Sequence, residues 1–180
     1  MPATNMHLTE NYQLVFHGEI HNVYGQLNHK TTYEALLDRD NFQRRPFVLT
    51  RAIFTGSQQY GPMWTGDNQA EFDELRSSIN SILSLGVAGI VYSGSDIPGF
   101  FGEPTPQLAT NFYQLGVFFP FMRAHSHIEN VAKREPYFYD ESIQPLIKQA
   151  LSLRYDLAHY IYWLFYLSSI HGTPLMRPMW

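Results

Sequence analysis

Four polar side chains stand at the downstream ends of four short apolar runs. They are Arg51 after "RPFVLT", Asp67 after "PMWTG", Asp96 after "VAGIVYSGS" and His125 after "FFPFMRA". The run at 45–50 follows a proline and is rich in β-formers, so it reads as a buried strand. Met63–Trp64, the run into Asp96 and the run into His125 read as three more. Between them the apolar spacing turns helical: Phe72, Leu75, Ile79 and Ile82 from Glu71 onward, then Leu108, Phe112 and Leu115 within 107–116. Asn22 to Leu37 predicts an earlier helix. Ser142 to Ile170 predicts a long last one, stopped by Gly172 and Pro174. Residues 1–21 read as polar and irregular. Strands alternating with helices predict a parallel α/β fold, and in a (β/α) barrel the downstream strand ends share the face on which active sites are built.

Composition narrows the function classes. A formal net charge of -4 over 180 residues gives no reason to expect nucleic acid or an anionic membrane as partner. The chain has no cysteine, which excludes disulfides and thiolate chemistry. The apolar stretch "LAHYIYWLFYL" at 157–167 is about half the ~20 residues needed to span a bilayer, and it contains His159. It predicts a buried helix. No repeat, low-complexity tract or linker divides residues 1–180, so one unit is expected.

Each candidate has a plainer explanation. Asp67 could cap the helix that begins near Glu71, and pattern alone favours that reading. Asp96 sits among Gly94, Pro98 and Gly99 and could be a turn aspartate. Arg51 could be an ordinary ion-pair residue, and Trp64 and Phe100 ordinary core. His125 and His127 alternate as strand residues do, but no third ligand with metal-site spacing accompanies them. The joint arrangement weakens these separate explanations.

The chemistry that suits the set is glycoside hydrolysis. It needs two carboxyl groups about the anomeric carbon, one giving a proton to the leaving oxygen and one ionised. Asp67 beside Trp64, with Asp96 as a second carboxylate, is the pair the sequence offers. Arg51, Asp96 and His125 would hydrogen-bond sugar hydroxyls, and Trp64 or Phe100 would contact the apolar face of the ring.

The segments "RPFVLTRAIFTGSQQYGPMWTGDNQAEFDEL", "GIVYSGSDIPGFFGEPTPQL", "FFPFMRAHSHIENVAKREPYFY" and "RYDLAHYIYWLFYLSSIHGTPLMRPMW" closely resemble glycoside hydrolase family 31. The resemblance implies a TIM barrel and a retaining α-glucosidase that needs no cofactor or metal. It assigns Asp67 of "WTGDN" as general acid/base. Arg51, Asp96 and His125 become residues of the subsite that holds the reacting sugar, with Trp64 and Phe100 as its aromatic wall. It further implies an α-glucoside or a glucosylated N-glycan as substrate, the rest of the catalytic barrel and a regulatory β subunit as partners, and the endoplasmic reticulum lumen as the compartment. Ser95 and Gln69 depart from the usual alanine and threonine without touching this chemistry.

One departure matters more. The family's nucleophile lies in a Trp-x-Asp-Met-Asn-Glu motif, and that motif does not occur in the 180 residues. The expectation is therefore a later portion of a catalytic barrel, supplying about four of the eight strands a closed barrel requires. Such a piece would be catalytically silent alone. The alternatives are a non-catalytic carbohydrate-binding or structural piece and, weakest, a metal-dependent hydrolase using His125 and His127.

Overall fold

The computed structural model describes residues 1–179. The chain divides into two compact units, Met1–Gly61 and Pro62–Trp180, a division that no linker announces.

The first unit opens with a hairpin where the sequence suggested irregular chain. β1 (Met6–Leu8) pairs antiparallel with β2 (Leu14–Phe16), with His7 opposite Val15. The Thr9 hydroxyl accepts from the Gln13 amide at 3.1 Å and closes the loop. α1 (His17–Arg39) follows at once and exceeds the predicted helix at both ends. Its start is marked by Glu19, whose carboxylate accepts the Phe16 amide at 3.0 Å. The strand expected at 45–50 does not form. A strand needs a hydrogen-bonded neighbour, and the Val48 carbonyl instead accepts from His29 Nε2 at 3.0 Å.

The second unit holds the parallel strands. β3 (Met63–Trp64) pairs with β4 (Ser93–Gly94), and β5 (Asp96–Ile97) pairs with β6 (Arg123–Ala124). Residues 93–97 form the middle of the three, because carbonyls alternate in direction along a strand. Tyr92 and Gly94 oxygens accept from Met63 and Thr65 on one side, and Ser93 and Ile97 oxygens accept from Phe121 and His125 on the other. Gly94 is required by this crowding: a Cβ there would overlap the Phe121 carbonyl.

α2 (Phe72–Val87) and α3 (Pro106–Gly116) cover the connections. The first turn of α2 carries Asp73 and Glu74, which complement its dipole. α3 starts at Thr105, whose hydroxyl accepts from the Leu108 amide at 3.2 Å, with Pro106 in the first turn. Ile82, Ile97, Leu108, Phe112, Phe119 and Ile147 form the buried centre. Each such side chain contributes about 1.5–3 kcal/mol by leaving water.

The long last helix is two. α4 (Gln144–Asp156) and α5 (Ala158–His171) meet at Leu157, where ψ is -3 instead of the helical value near about -42°. Arg154, near the end of α4, donates to the carbonyls of Val117 and Phe119 at 2.7 Å each and of Pro120 at 3.2 Å. Gly172 ends α5 with φ 69, as its position predicts. α5 is not the buried helix expected: no residue of it is fully buried, and Tyr160, Tyr162, Trp163 and Tyr166 are exposed. Among the described residues, no helix is long and apolar enough to cross a membrane.

Candidate active site

The parallel strands bring the downstream ends of β3, β5 and β6 to one edge of the second unit. Trp64 closes β3, and the chain then leaves the ladder at Gly66, whose φ is 92. Asp67 is the next residue and is partly exposed. It does not cap α2, since that helix begins five residues later at Phe72, with Glu71 in the capping position. The capping explanation for Asp67 is thereby removed.

Asn68 ties this loop to the middle strand. Its side-chain nitrogen donates to the Ser95 hydroxyl at 3.0 Å and to the Asp96 carbonyl at 3.1 Å. Its side-chain oxygen accepts the Phe100 amide at 3.1 Å, and its own carbonyl accepts from Phe100 and Phe101. A single parallel bridge, Gln69 to Phe101, and the Ala70 amide on the Phe101 carbonyl continue the contact. Gly99 makes this approach possible. Its φ is 116, and a Cβ would overlap the Ala70 backbone.

Asp96 is 0% exposed, and Arg123 Nη2 donates to its Oδ1 at 2.6 Å. Burial pushes the Asp96 carboxyl up from the ordinary carboxylate value, and the nearby charge of Asp67 adds to this. The hydrogen bond and charge of Arg123, and His125, act in the opposite direction without overcoming burial. The other carboxylate oxygen, Oδ2, is buried with no protein partner among the described residues.

Arg123 is the residue that sequence reasoning missed. Its guanidinium lies 5.2 Å over the Trp64 ring and 5.5 Å over the Phe121 ring, within cation–π range. The signal was available: Arg123, His125 and His127 recur at the period of two that puts strand residues on one face.

His125 and Phe100 do come together, with ring centroids 5.2 Å apart. His127 packs its ring on Phe100 and Phe101 at 5.4 and 5.3 Å. No third ligand joins the two histidines, and among the described residues no group of three His, Cys, Asp or Glu could hold a metal ion. Arg51 belongs to the first unit, where it is exposed and follows Thr50. The second unit thus presents an acid, a buried ion pair, two aromatic side chains and a histidine along one strand edge.

Residues 2–164 match the glycosyl hydrolases family 31 TIM-barrel domain. Over 180 residues the sequence is 47% identical to a probable glucan 1,3-alpha-glucosidase of Oryza sativa subsp. japonica, covering all of this chain and 19% of that protein. A crystal structure of a glucosidase II alpha subunit bound to Glc1Man2 is similar over 99% of this chain and 19% of that one, with TM-score 0.91 and 45% identity. An ER glucosidase II complex of a catalytic subunit with the binding domain of a regulatory subunit is similar over 96% of this chain and 18% of that one, with TM-score 0.89 and 45% identity. The chain spans about a fifth of the length of the relatives it matches.

Proposed function

The chain belongs to glycoside hydrolase family 31, and from that we propose that it supplies the general acid/base of an α-glucosidase acting on terminal α-linked glucose, with Asp67 in that role. The observation that carries the reading is the position of Asp67: at the downstream edge of parallel strands, released from capping α2, beside Trp64 and Asn68. Asp67 gives its proton to the glycosidic oxygen as the bond to the anomeric carbon breaks. It then takes a proton from the water that completes hydrolysis. Arg51 and His125 bind sugar hydroxyls, and Trp64 and Phe100 contact the sugar ring.

The mechanism is retaining, with the nucleophile supplied by residues other than those of this chain, as part of a closed (β/α)8 barrel. By its likeness to the glucosidase II complex, we assign the protein to the endoplasmic reticulum lumen, with a glucosylated N-glycan as substrate and a regulatory subunit as partner.

The test is Asp67→Asn in the full-length protein, assayed on aryl α-glucosides whose leaving groups span a range of acidity. Poor leaving groups should lose about 10²–10⁴-fold in turnover, the usual contribution of a general acid. Very acidic leaving groups need little protonation and should lose far less in the glycosylation step. Equal loss across the series would overturn the assignment and favour a piece that only binds carbohydrate.

A further inference from the structure

We propose that Arg123 is a positioning residue: anchored by Asp96, it fixes the tilt of the Trp64 indole at the strand edge where the sugar rests. This rests on the function proposed above and adds a residue that the sequence did not assign. Three features carry it. The Asp96 carboxylate is wholly buried and bonds Arg123 at 2.6 Å, so the guanidinium has one fixed anchor. That guanidinium then lies over two aromatic rings at once, Trp64 at 5.2 Å and Phe121 at 5.5 Å. The anchor is itself held, because Asn68, next to Asp67 in sequence, bonds the Asp96 carbonyl and the Phe100 amide.

A chain of direct contacts therefore runs from the loop of the acid through Asp96 and Arg123 to the indole. A buried ion pair is a poor source of stability, because desolvation offsets much of its attraction. What it supplies is direction. A planar cation pinned at one end and lying over a ring restricts the tilt of that ring, which an apolar side chain of similar volume would do less. Trp64 Nε1 is buried with no protein partner among the described residues, so no hydrogen bond sets the indole instead.

The experiment compares Arg123→Met, Arg123→Lys and Asp96→Asn with the wild type in the full-length protein. Two readouts are taken: steady-state kinetics on 4-nitrophenyl α-glucoside, and Trp64 emission as the difference between each protein and its Trp64→Phe counterpart. Arg123→Met should raise KM about tenfold with kcat changed much less, the signature of lost ground-state positioning. It should also change the Trp64 emission. Asp96→Asn should move both readouts in the same direction, and Arg123→Lys, which keeps charge without the planar fork, should recover only part.

A purely structural role predicts otherwise: activity falls with the folded fraction while KM and Trp64 emission stay at wild-type values. That result would overturn the proposal. Full recovery by Arg123→Lys would also overturn it, since charge alone would then suffice. A wild-type protein without glucosidase activity would count against the function above, and the emission comparison would still decide the role of Arg123.

Discussion

The side-chain amide of Asn68 donates at 3.1 Å to the main-chain carbonyl of Asp96, 28 residues further along the chain. The same nitrogen reaches the Ser95 hydroxyl at 3.0 Å, while the amide oxygen accepts from Phe100. Only a side chain with both donors and an acceptor can do this. The contact joins the Asp67 loop to the strand that carries the buried carboxylate, so the geometry of the acid depends on a neutral neighbour.

Asn68→Asp should therefore be costly. It replaces the donating nitrogen with an oxygen facing the Asp96 carbonyl, and it adds negative charge at an 8% exposed position beside Asp67 and Asp96. A loss of about 1–3 kcal/mol is expected for the unsatisfied buried groups, with more from charge repulsion. Denaturant unfolding measures it. A midpoint equal to wild type would mean that the amide bonds are incidental.

His17 makes the first unit sensitive to acid. It is buried, its Nδ1 lies 3.0 Å from His7 Nε2, and its Nε2 lies 2.8 Å from His21 Nδ1. In a neutral row each ring can donate once and accept once, and protonating the middle ring puts a donor where an acceptor was. Burial first, then His21, His7 and the chain amino group, push the His17 pKa below 6.5. The folded value lies below the unfolded one, so this stability is present above pH 6.5 and is lost as pH falls through the lowered value. Thermal unfolding between pH 8 and pH 5 checks it, and His17→Phe should flatten the dependence. An unchanged slope in that variant would place the sensitivity elsewhere.

Two buried phenols make the second unit sensitive to base. Tyr113 donates to the Arg134 carbonyl at 2.5 Å, and burial raises its pKa strongly. Tyr139, 6.4 Å away between ring centroids, is pushed up to about 12 by burial, with Arg134 acting against the shift. Both folded values exceed the unfolded 10.0, so stability is intact below that pH and falls as pH climbs towards 12. Urea midpoints at pH 8, 10 and 11 should decline, and Tyr139→Phe should decline less. Parallel declines in both proteins would exclude Tyr139 as a source.

Metal should not matter. His125 and His127 engage Phe100 through their rings, and no third ligand stands with them among the described residues. Hydrolysis by the full-length protein should be unchanged by a chelator or added zinc. Activity that vanished with chelator and returned with metal would restore the metal-dependent alternative.

α2 and α3 were legible because Leu75, Ile79 and Ile82, and then Leu108, Phe112 and Leu115, keep helical spacing. The strand edge was legible too, since Asp67, Asp96 and His125 each follow an apolar run. The break at Leu157 was not, because neither glycine nor proline marks it. The hairpin at 6–16 escaped because strands of three residues are too short to show a period. At 45–50 the β-rich pattern was present but the Val48 carbonyl found His29 instead of a strand. Residue type did not show that the Asp96 carboxylate is buried and paired with Arg123, 27 residues away.

The three carbonyl bonds of Arg154 have a consequence in time. They join positions 34 to 37 residues apart, so they can close only after α3, the turn behind it and α4 have all met. Contacts of that separation reward the chain late on the folding route. Arg154→Met should accordingly speed unfolding while leaving the refolding rate nearly unchanged, raising the unfolding arm of the chevron and sparing the folding arm. The guanidinium acts as a latch on a structure already assembled.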